Sequence, residues 1–212
     1  MKLLSECGLY TFVDTAYLHG RSVTDVALQL CEGGSDLIQL RAKNAAPDEI
    51  HRMAEAIMPI THGAGVRLVI NDHPAIAQAV GADFCHLGQE DFFDAGHRHV
   101  SEVLGPKSDL QIGLSSHAPE QAQRACAAGA DYIAIGPVFA TGTKPTAKPV
   151  TFDYVRWAAA NVSIPWFAIG GINLNTLDAV LLAGARRICV VSAILNAANV
   201  ARACREFTRR LS

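Results

Sequence analysis

Short apolar runs alternate with stretches of helical periodicity along the whole chain. Four times a helical stretch ends at a glycine and an apolar run of four to six residues follows, in CEGGSDLIQL, AVGADFCHL, AAGADYIAI and LAGARRICV. Glycine readily adopts the left-handed conformation that closes a helix. Apolar runs of this length that are rich in Ile, Val and Leu are typical of strands buried on both faces. The pattern therefore predicts a repeating unit of helix and buried strand.

Four further apolar runs, GLYTFVD, RLVIND, LQIGLS and IPWFAIGG, bring the number of predicted strands to eight. Pro47 and Pro119 suit the first turns of two predicted helices, and Asn175 and Thr176 suit the cap of a third. Eight units without a linker-like break predict an α/β fold, a single (β/α)8 TIM barrel that forms one domain over residues 1–212. A doubly wound open sheet is the alternative. The predicted strands end near Asp14, Arg41, Asn71, Leu87, Leu114, Gly136, Ile169 and Val191.

The composition narrows the class of partner. Half of the 212 residues are hydrophobic and the formal net charge is −2, so the chain lacks the basic excess typical of proteins that bind nucleic acid. No apolar run is long enough to cross a membrane, and MKLLSECGLYTF has too short an apolar stretch for a signal peptide. The six cysteines form no C-x-x-C pair and are expected to be reduced. We therefore expect a cytoplasmic protein that binds small molecules and neither nucleic acid nor membranes.

Polar side chains follow the second predicted strand. Gln39, Arg41 and Lys43 are two residues apart, so they point the same way from an extended segment. In a barrel of this kind the functional groups lie at the mouth, where the carboxyl ends of the strands meet. A cation in the helix layer would be buried without a partner. We therefore expect all three side chains to face the mouth; the alternative is that Arg41 and Lys43 are ordinary loop charges.

Carboxylates follow the next two predicted strands. Asp72 comes after Asn71, and Asp91 lies in HLGQED. Two carboxylates on adjacent strand ends repel each other unless a hard cation joins them, and oxygen ligands without cysteine suit Mg²⁺. We therefore expect a Mg²⁺ site here. Asp72 could instead cap the helix that follows it, and Glu90 is expected to face solvent.

Three histidines have different expected roles. His117 follows the fifth predicted strand, in GLSSH, where it could be a general base or a cap residue for the helix at Pro119. Both interpretations stay open. His97 and His99 form an H-x-H pair with no other ligand nearby in sequence, so we expect them on the surface of a helix.

Glycines and hydroxyls occur after the last three predicted strands. Gly170, Gly171 and Ser192 are suited to a phosphate cradle, because glycine lets backbone N–H groups approach an anion closely. A tight turn is the alternative for the glycine pair. The long loop of residues 136–149, GPVFATGTKPTAKP, offers hydroxyls and ammonium groups, and we expect it to act as a lid. Its glycine spacing differs from that of a Walker P-loop.

The ordered set QLRAK, IND, HLGQED, GLSSH, GPVFATGTK, AIGGI and VVSAI covers nearly the whole chain and resembles the thiamine-phosphate synthase family. Each motif alone is weak, but the set in this order is specific. The resemblance implies a (β/α)8 barrel that uses Mg²⁺ to join 4-amino-2-methyl-5-hydroxymethylpyrimidine pyrophosphate to a thiazole phosphate, giving thiamine phosphate and pyrophosphate. It also implies that the bond to pyrophosphate breaks first, and that the thiazole nitrogen attacks the resulting pyrimidine carbocation.

The resemblance also implies roles for individual residues. The catalytic residues would be Arg41, Lys43, Ser115 and Lys144, and the Mg²⁺ ligands would be Asp72 and Asp91. Substrate contacts would come from Gln39, Leu40, Arg41, Ala42, Lys43, Asn71, Ser115, Thr141, Gly142, Thr143, Lys144, Gly171, Val191 and Ser192. Within that set, the thiazole phosphate would be held by Thr141, Thr143, Gly171, Val191 and Ser192, and the pyrimidine pyrophosphate by Gln39, Arg41, Lys43, Asn71, Ser115 and Lys144.

Some positions depart from the family pattern. Ala42 stands where the family often has an acid, and Gly142 replaces a more usual proline or polar residue. The run KPTAKPV that begins at Lys144 is also unusual. Two other functions remain open: a thiazole tautomerase, which shares the barrel and a Ser-x-His motif, and a non-catalytic barrel that binds a thiazole or thiamine phosphate. The pair Asp72 and Asp91 favours the synthase, because a tautomerase has no pyrophosphate to activate. The oligomeric state is not predicted.

Overall fold

Eight parallel strands close into a barrel in chain order within residues 1–104, 108–140 and 149–211, which the computed structural model describes. β1 is hydrogen-bonded to β2 on one side and to β8 on the other, so the sheet has no free edge there. The predicted (β/α)8 barrel is therefore confirmed, and the open sheet is excluded. The strands are β1 Leu9–Asp14, β2 Leu37–Arg41, β3 Arg67–Asn71, β4 Phe84–Leu87, β5 Gln111–Ser116, β6 Tyr132–Ile135, β7 Trp166–Ile169 and β8 Ile188–Cys189.

Helices follow the strands and cover the outside of the barrel. Those in the described residues are α1 Val23–Glu32, α2 Pro47–Gly63, α3 Pro74–Val80, α4 Gln89–Asp94, α5 Pro119–Ala127, α6 Phe152–Asn161, α7 Leu177–Leu182, α8 Ser192–Leu195 and α9 Val200–Leu211. The last helix packs on the first: the Thr208 hydroxyl donates to the Gly33 carbonyl at 3.0 Å. A side chain at Gly33 would overlap Cys204 of α9. The glycine therefore lets α1 and α9 approach closely.

Five strands end at the predicted residue, and three do not. β5 continues two residues past Leu114, because Ser115 and Ser116 still pair with β6. Two consecutive serines in the sequence indicate a loop, but both side chains are buried in the structure. β6 ends one residue before Gly136 and β8 two residues before Val191, where the backbone turns into α8.

The four glycines that were predicted to close helices do adopt the left-handed conformation. Their φ angles lie between 71° and 102°, at Gly34, Gly81, Gly129 and Gly184. The prediction for the start of α7 holds in part. Thr176 is the N-cap residue, but its side chain makes no capping bond. The Asn173 carboxamide oxygen instead accepts from the backbone N–H groups of Asn175 and Thr176, at 2.9 and 3.2 Å.

The H-x-H pair also differs from its prediction. His97 and His99 lie in the segment that follows α4, ahead of the short 3-10 turn Val100–Glu102, and not on a helix. His99 caps that turn by accepting from the Ser101 N–H at 3.2 Å. The glycine at 96 has a φ of 88°, which ends the α4 region before the pair.

Three of the helix-closing glycines are followed two residues later by an aspartate that bridges two strands. Asp36 accepts from the Leu9 N–H at 3.0 Å, Asp83 from the Leu68 N–H at 2.9 Å, and Asp131 from the Ile112 N–H at 2.7 Å. Each aspartate precedes one strand and binds the start of the strand before it. These three aspartate bridges fix the amino-terminal end of the barrel, opposite the mouth. The fourth repeat has Arg186 at the equivalent position.

We expect Asp131→Ala to lower the free energy of unfolding by about 1–3 kcal/mol, because the Ile112 N–H loses its acceptor. Urea unfolding followed by circular dichroism measures the change. Asp153→Ala is the matched control, since Asp153 is exposed on α6 and only pairs with Arg156 at 2.8 Å. The control should change stability by about 0.5 kcal/mol or less. Equal losses in the two variants would contradict a stabilising role for the bridge.

Candidate active site

A cavity of about 120 Å³ opens at the mouth of the barrel. Every strand, or the segment directly after it, contributes to its lining. Apolar and aromatic groups form its floor inside the barrel, and charged groups from β2, β3 and the start of α4 lie on one side. The glycine-containing segments after β7 and β8 also line it, so both regions predicted from sequence meet in one cavity.

Arg41 is held at the cavity by a buried carboxylate. Its Nη1 donates to Asp14 Oδ2 at 2.9 Å, and Asp14 is only 1% exposed at the end of β1. The other Asp14 oxygen accepts from the Ala16 N–H at 3.0 Å. Arg41 is therefore no ordinary loop charge: its guanidinium is fixed on one side and lines the cavity. Asp14 was not predicted as a functional residue.

Asp72 lies beside two cavity groups. Lys43 forms an ion pair with its Oδ2, and Asn71 Nδ2 donates to the same oxygen at 2.7 Å. Its φ of 64° is left-handed, which is uncommon for a residue other than glycine. Such conformations cluster at functional sites. Asp72 does not cap α3, because the cap position is His73 and no side chain bonds there.

Asp91 lies in the first turn of α4 and packs against Gly88, where an added Cβ would come within 2.5 Å of its Oδ2. Glu90 is exposed, as predicted. Within the described ranges, no three His, Cys, Asp or Glu side chains gather as a metal cluster. The two carboxylates still fit Mg²⁺, because this ion commonly takes one or two carboxylates and completes its shell with phosphate oxygens and water.

Two residues at the end of β5 line the cavity as well. Ser115 accepts from the Gln89 N–H at 3.0 Å, which ties β5 to the start of α4. His117 donates from Nδ1 to the Gly136 carbonyl, and its backbone N–H donates to Gln121 Oε1 at 2.7 Å. The ring does not cap α5, since Ala118 holds that position. It instead lines the cavity with its tautomer set by the carbonyl.

The glycine pair after β7 receives the start of the long loop. Val138 N–H donates to the Ile169 carbonyl at 2.8 Å, and Phe139 N–H donates to the Gly170 carbonyl at 3.0 Å. Side chains at Gly170 or Gly171, whose φ angles are 106° and 64°, would collide with residues 137–140. The glycine pair therefore forms a tight turn, which was the alternative to a phosphate cradle. It also anchors the loop at the cavity.

A polar relay crosses the cavity floor, formed by Gln39, Tyr10, Tyr132 and His86. Gln39 Nε2 donates to the Tyr10 hydroxyl at 2.5 Å, the two tyrosine oxygens are 3.0 Å apart, and His86 Nδ1 lies 3.1 Å from the Tyr132 oxygen. Burial raises the pKa of both tyrosine hydroxyls well above the ordinary value. Gly113 makes room for this floor, because a side chain there would overlap the Tyr132 ring.

Comparison with known proteins agrees with this geometry. A family model described as thiamine monophosphate synthase matches residues 9–194. The chain belongs to this family. A thiamine-phosphate synthase of Thermus thermophilus is 44% identical over 180 residues, which are 84% of each chain. Another, from Halalkalibacterium halodurans, is 39% identical over 201 residues, which are 94% of this chain and 93% of that protein.

A solved structure extends the thiamine monophosphate synthase assignment to the whole fold. The thiamine phosphate pyrophosphorylase from Pyrococcus furiosus has a TM-score of 0.87 and 30% sequence identity, with 99% of this chain and 98% of that chain covered. The resemblance carried by the sequence motifs is therefore confirmed at the level of family and fold.

Most residues that the family resemblance indicates come together in the cavity. Those that line it are Gln39, Arg41, Lys43, Asn71, Asp72, Asp91, Ser115, Gly171, Val191 and Ser192. Leu40 and Ala42 do not line it; strand alternation turns both side chains away, and they are 1% and 5% exposed. Thr141, Gly142, Thr143 and Lys144, together with the unusual run through residue 148, lie outside the described residues.

The structure adds site residues that the sequence did not indicate. They are Asp14, Tyr10 and Tyr132, together with Cys189 in the cavity floor. The one signal for Asp14 is a charged residue at the end of an otherwise apolar strand. All six cysteines are free thiols, as expected, and burial raises the pKa of the half-buried Cys31 to about 11. In the part of the chain that the structure describes, no helix could span a membrane.

Proposed function

We propose that this chain is a thiamine-phosphate synthase, which joins a pyrimidine pyrophosphate to a thiazole phosphate and releases pyrophosphate. The observation that carries the proposal is the convergence of two cations, two carboxylates and an amide side chain in the cavity of a family member. A dissociative displacement asks a protein for little covalent chemistry. It requires that the leaving group be stabilised, that the nucleophile be held close, and that water be excluded.

The leaving pyrophosphate binds on the charged side of the cavity. Arg41 is already oriented by Asp14, so little reorganisation is needed when negative charge develops on the leaving oxygens. Asn71 and Ser115 add donors to the same substrate. Lys144 remains a predicted contact of the pyrophosphate from the long loop.

Asp72 and Asp91 would hold Mg²⁺. When bound, the ion would offset charge on the phosphate oxygens of the leaving group. Asp72 is paired with Lys43. We infer that Asp72 exchanges this partner when the site fills, which frees the Lys43 ammonium to contact pyrophosphate.

The thiazole phosphate binds on the other side, at Gly171, Val191 and Ser192. Thr141 and Thr143 remain predicted contacts of the same phosphate. The loop that carries them is anchored at Gly170 through Phe139, so it starts directly beside the second phosphate region. We propose that this loop acts as a lid, and that the enzyme works in the reducing cytoplasm on small-molecule substrates.

The deciding assay mixes the purified chain with both substrates and Mg²⁺. We expect thiamine phosphate and pyrophosphate in equal amounts, and product should fall strongly in Arg41→Gln because a fixed cation is lost. Liquid chromatography with mass detection measures both products. Conversion between thiazole phosphate tautomers without any thiamine phosphate would support the tautomerase instead. Binding without conversion of either kind would support a non-catalytic barrel.

We expect Asp72→Asn and Asp91→Asn to raise the Mg²⁺ concentration for half-maximal rate by about tenfold or more. Loss of a residue that only supports a metal ligand already costs about tenfold in metal affinity, and loss of a ligand itself should cost at least as much. Metal titration of the initial rate measures this. Glu90→Gln is the matched control, since Glu90 is an exposed acid in the same turn as Asp91. A native Mg²⁺ response in both aspartate variants would remove them as ligands.

We expect Asp14→Asn to lower turnover by about 10- to 100-fold, because Arg41 loses a charged acceptor that fixes its guanidinium. Initial rates at saturating substrate measure the loss. Asp83→Asn is the matched control: it weakens a comparable bond, from Arg67 at 3.2 Å, at the opposite end of the barrel. The control should lose stability and keep its rate. Native turnover in Asp14→Asn would show that Arg41 does not depend on this carboxylate.

A further inference from the structure

The polar relay on the cavity floor has no part in the mechanism proposed for the charged side of the cavity. Three of its members are buried, since Gln39, Tyr10 and Tyr132 are 2%, 1% and 0% exposed, and His86 is partly buried. Buried polar groups of this kind are costly unless every one is paired. Three hydrogen bonds join the four groups in series from Gln39 to His86.

Each tyrosine hydroxyl has one proton and can donate it to only one neighbour. The orientation of the Gln39 carboxamide is therefore coupled to the tautomer of His86. Both tyrosine hydroxyls keep their single proton, because burial raises their pKa. Gln39 Nε2 donates to Tyr10, so Tyr10 must donate to Tyr132, and Tyr132 must donate to His86 Nδ1. The opposite direction requires a proton on His86 Nδ1, and it would turn the carboxamide so that Oε1 accepts from Tyr10.

The direction in which the relay groups donate their hydrogen bonds decides which atoms of the Gln39 carboxamide are available to a ligand. Gln39 lines the cavity, and its Nε2 is committed to Tyr10. Among residues 1–104, 108–140 and 149–211, the bond to Tyr10 is the one hydrogen bond of the Gln39 side chain. Its Oε1 and the second Nε2–H therefore remain for the ligand, and of these two groups the oxygen only accepts. A ligand group that faces Oε1 must be a donor.

We propose that the polar relay fixes Gln39 as a hydrogen-bond acceptor and makes the site select a pyrimidine with an amino group over one with a carbonyl at the same ring position. The inference rests on the proposed function, which supplies the aminopyrimidine. Tyr10 and Tyr132 are positioning residues in this scheme, since they act through Gln39. If a carbonyl replaced the amine, its oxygen would face Gln39 Oε1. Both atoms are acceptors, so no hydrogen bond could form between them.

The direction of the relay can be tested without substrate or activity. In protein with ¹⁵N-labelled histidine, NMR distinguishes a protonated from an unprotonated ring nitrogen, and the His86 signals are those lost in His86→Gln. We expect His86 Nδ1 to be unprotonated and Nε2 to carry the proton. A proton on Nδ1 would mean that the relay runs the other way, and it would overturn the inference.

Selectivity is tested by calorimetric binding of the aminopyrimidine pyrophosphate and its oxo analogue, without thiazole phosphate. The native chain should prefer the amine. Tyr10→Phe and Tyr132→Phe should each reduce that preference by about tenfold, the usual worth of one hydrogen bond, because the carboxamide can then rotate. Tyr154→Phe is the control, since its buried hydroxyl bonds Ser116 between β5 and α6, away from the cavity. It should lose stability and keep the native preference.

The outcomes separate this inference from the proposed function. An unchanged preference in both relay variants, with normal formation of thiamine phosphate by the native chain, would overturn the inference alone. A native preference that falls in the relay variants, with no thiamine phosphate formed, would support the inference and count against the function. If a tyrosine variant does not fold, the NMR measurement on the native chain still decides the direction of the relay.

Discussion

Closure of the sheet is the constraint on which the rest of this structure depends. β1 pairs with both β2 and β8, and most strand residues are buried on the inner and outer faces alike. Polar side chains can therefore reach water or a ligand chiefly at the strand ends. Because all eight strands are parallel, their carboxyl ends lie together, and polar residues far apart in sequence meet in one cavity.

The charges at the mouth are paired with one another. Asp14 holds Arg41, and Asp72 is shared by Lys43 and Asn71. This pairing limits the cost of partly buried charges, which is high for any charge without a partner. Under the proposed function, binding would be an exchange. The entering anion would take the cations, and the entering metal ion would take the carboxylates, that are paired with each other here.

Local signals in the sequence predicted the fold and one side of the cavity. Helix-closing glycines such as Gly81 mark the turns, and the spacing of two residues between Arg41 and Lys43 fixes their common direction. Partnerships between distant residues left no such signal. Asp14 lies 27 residues from Arg41, and Tyr10 lies 122 residues from Tyr132. The tyrosines also count as apolar in a hydropathy pattern, so a relay made of their hydroxyls is hidden until the strands are placed in register.

The pairing of the first strand with the last has a consequence for synthesis on the ribosome. β1 emerges early, but its second neighbour contains Ile188 and Cys189, and α1 packs against α9 still later in the chain. Until those residues are made, β1 keeps an exposed hydrogen-bonding edge that can pair with another nascent chain. The growing chain is thus exposed to misassembly until β8 and α9 have left the exit tunnel, and a chaperone that covers the edge of β1 would protect it during that interval.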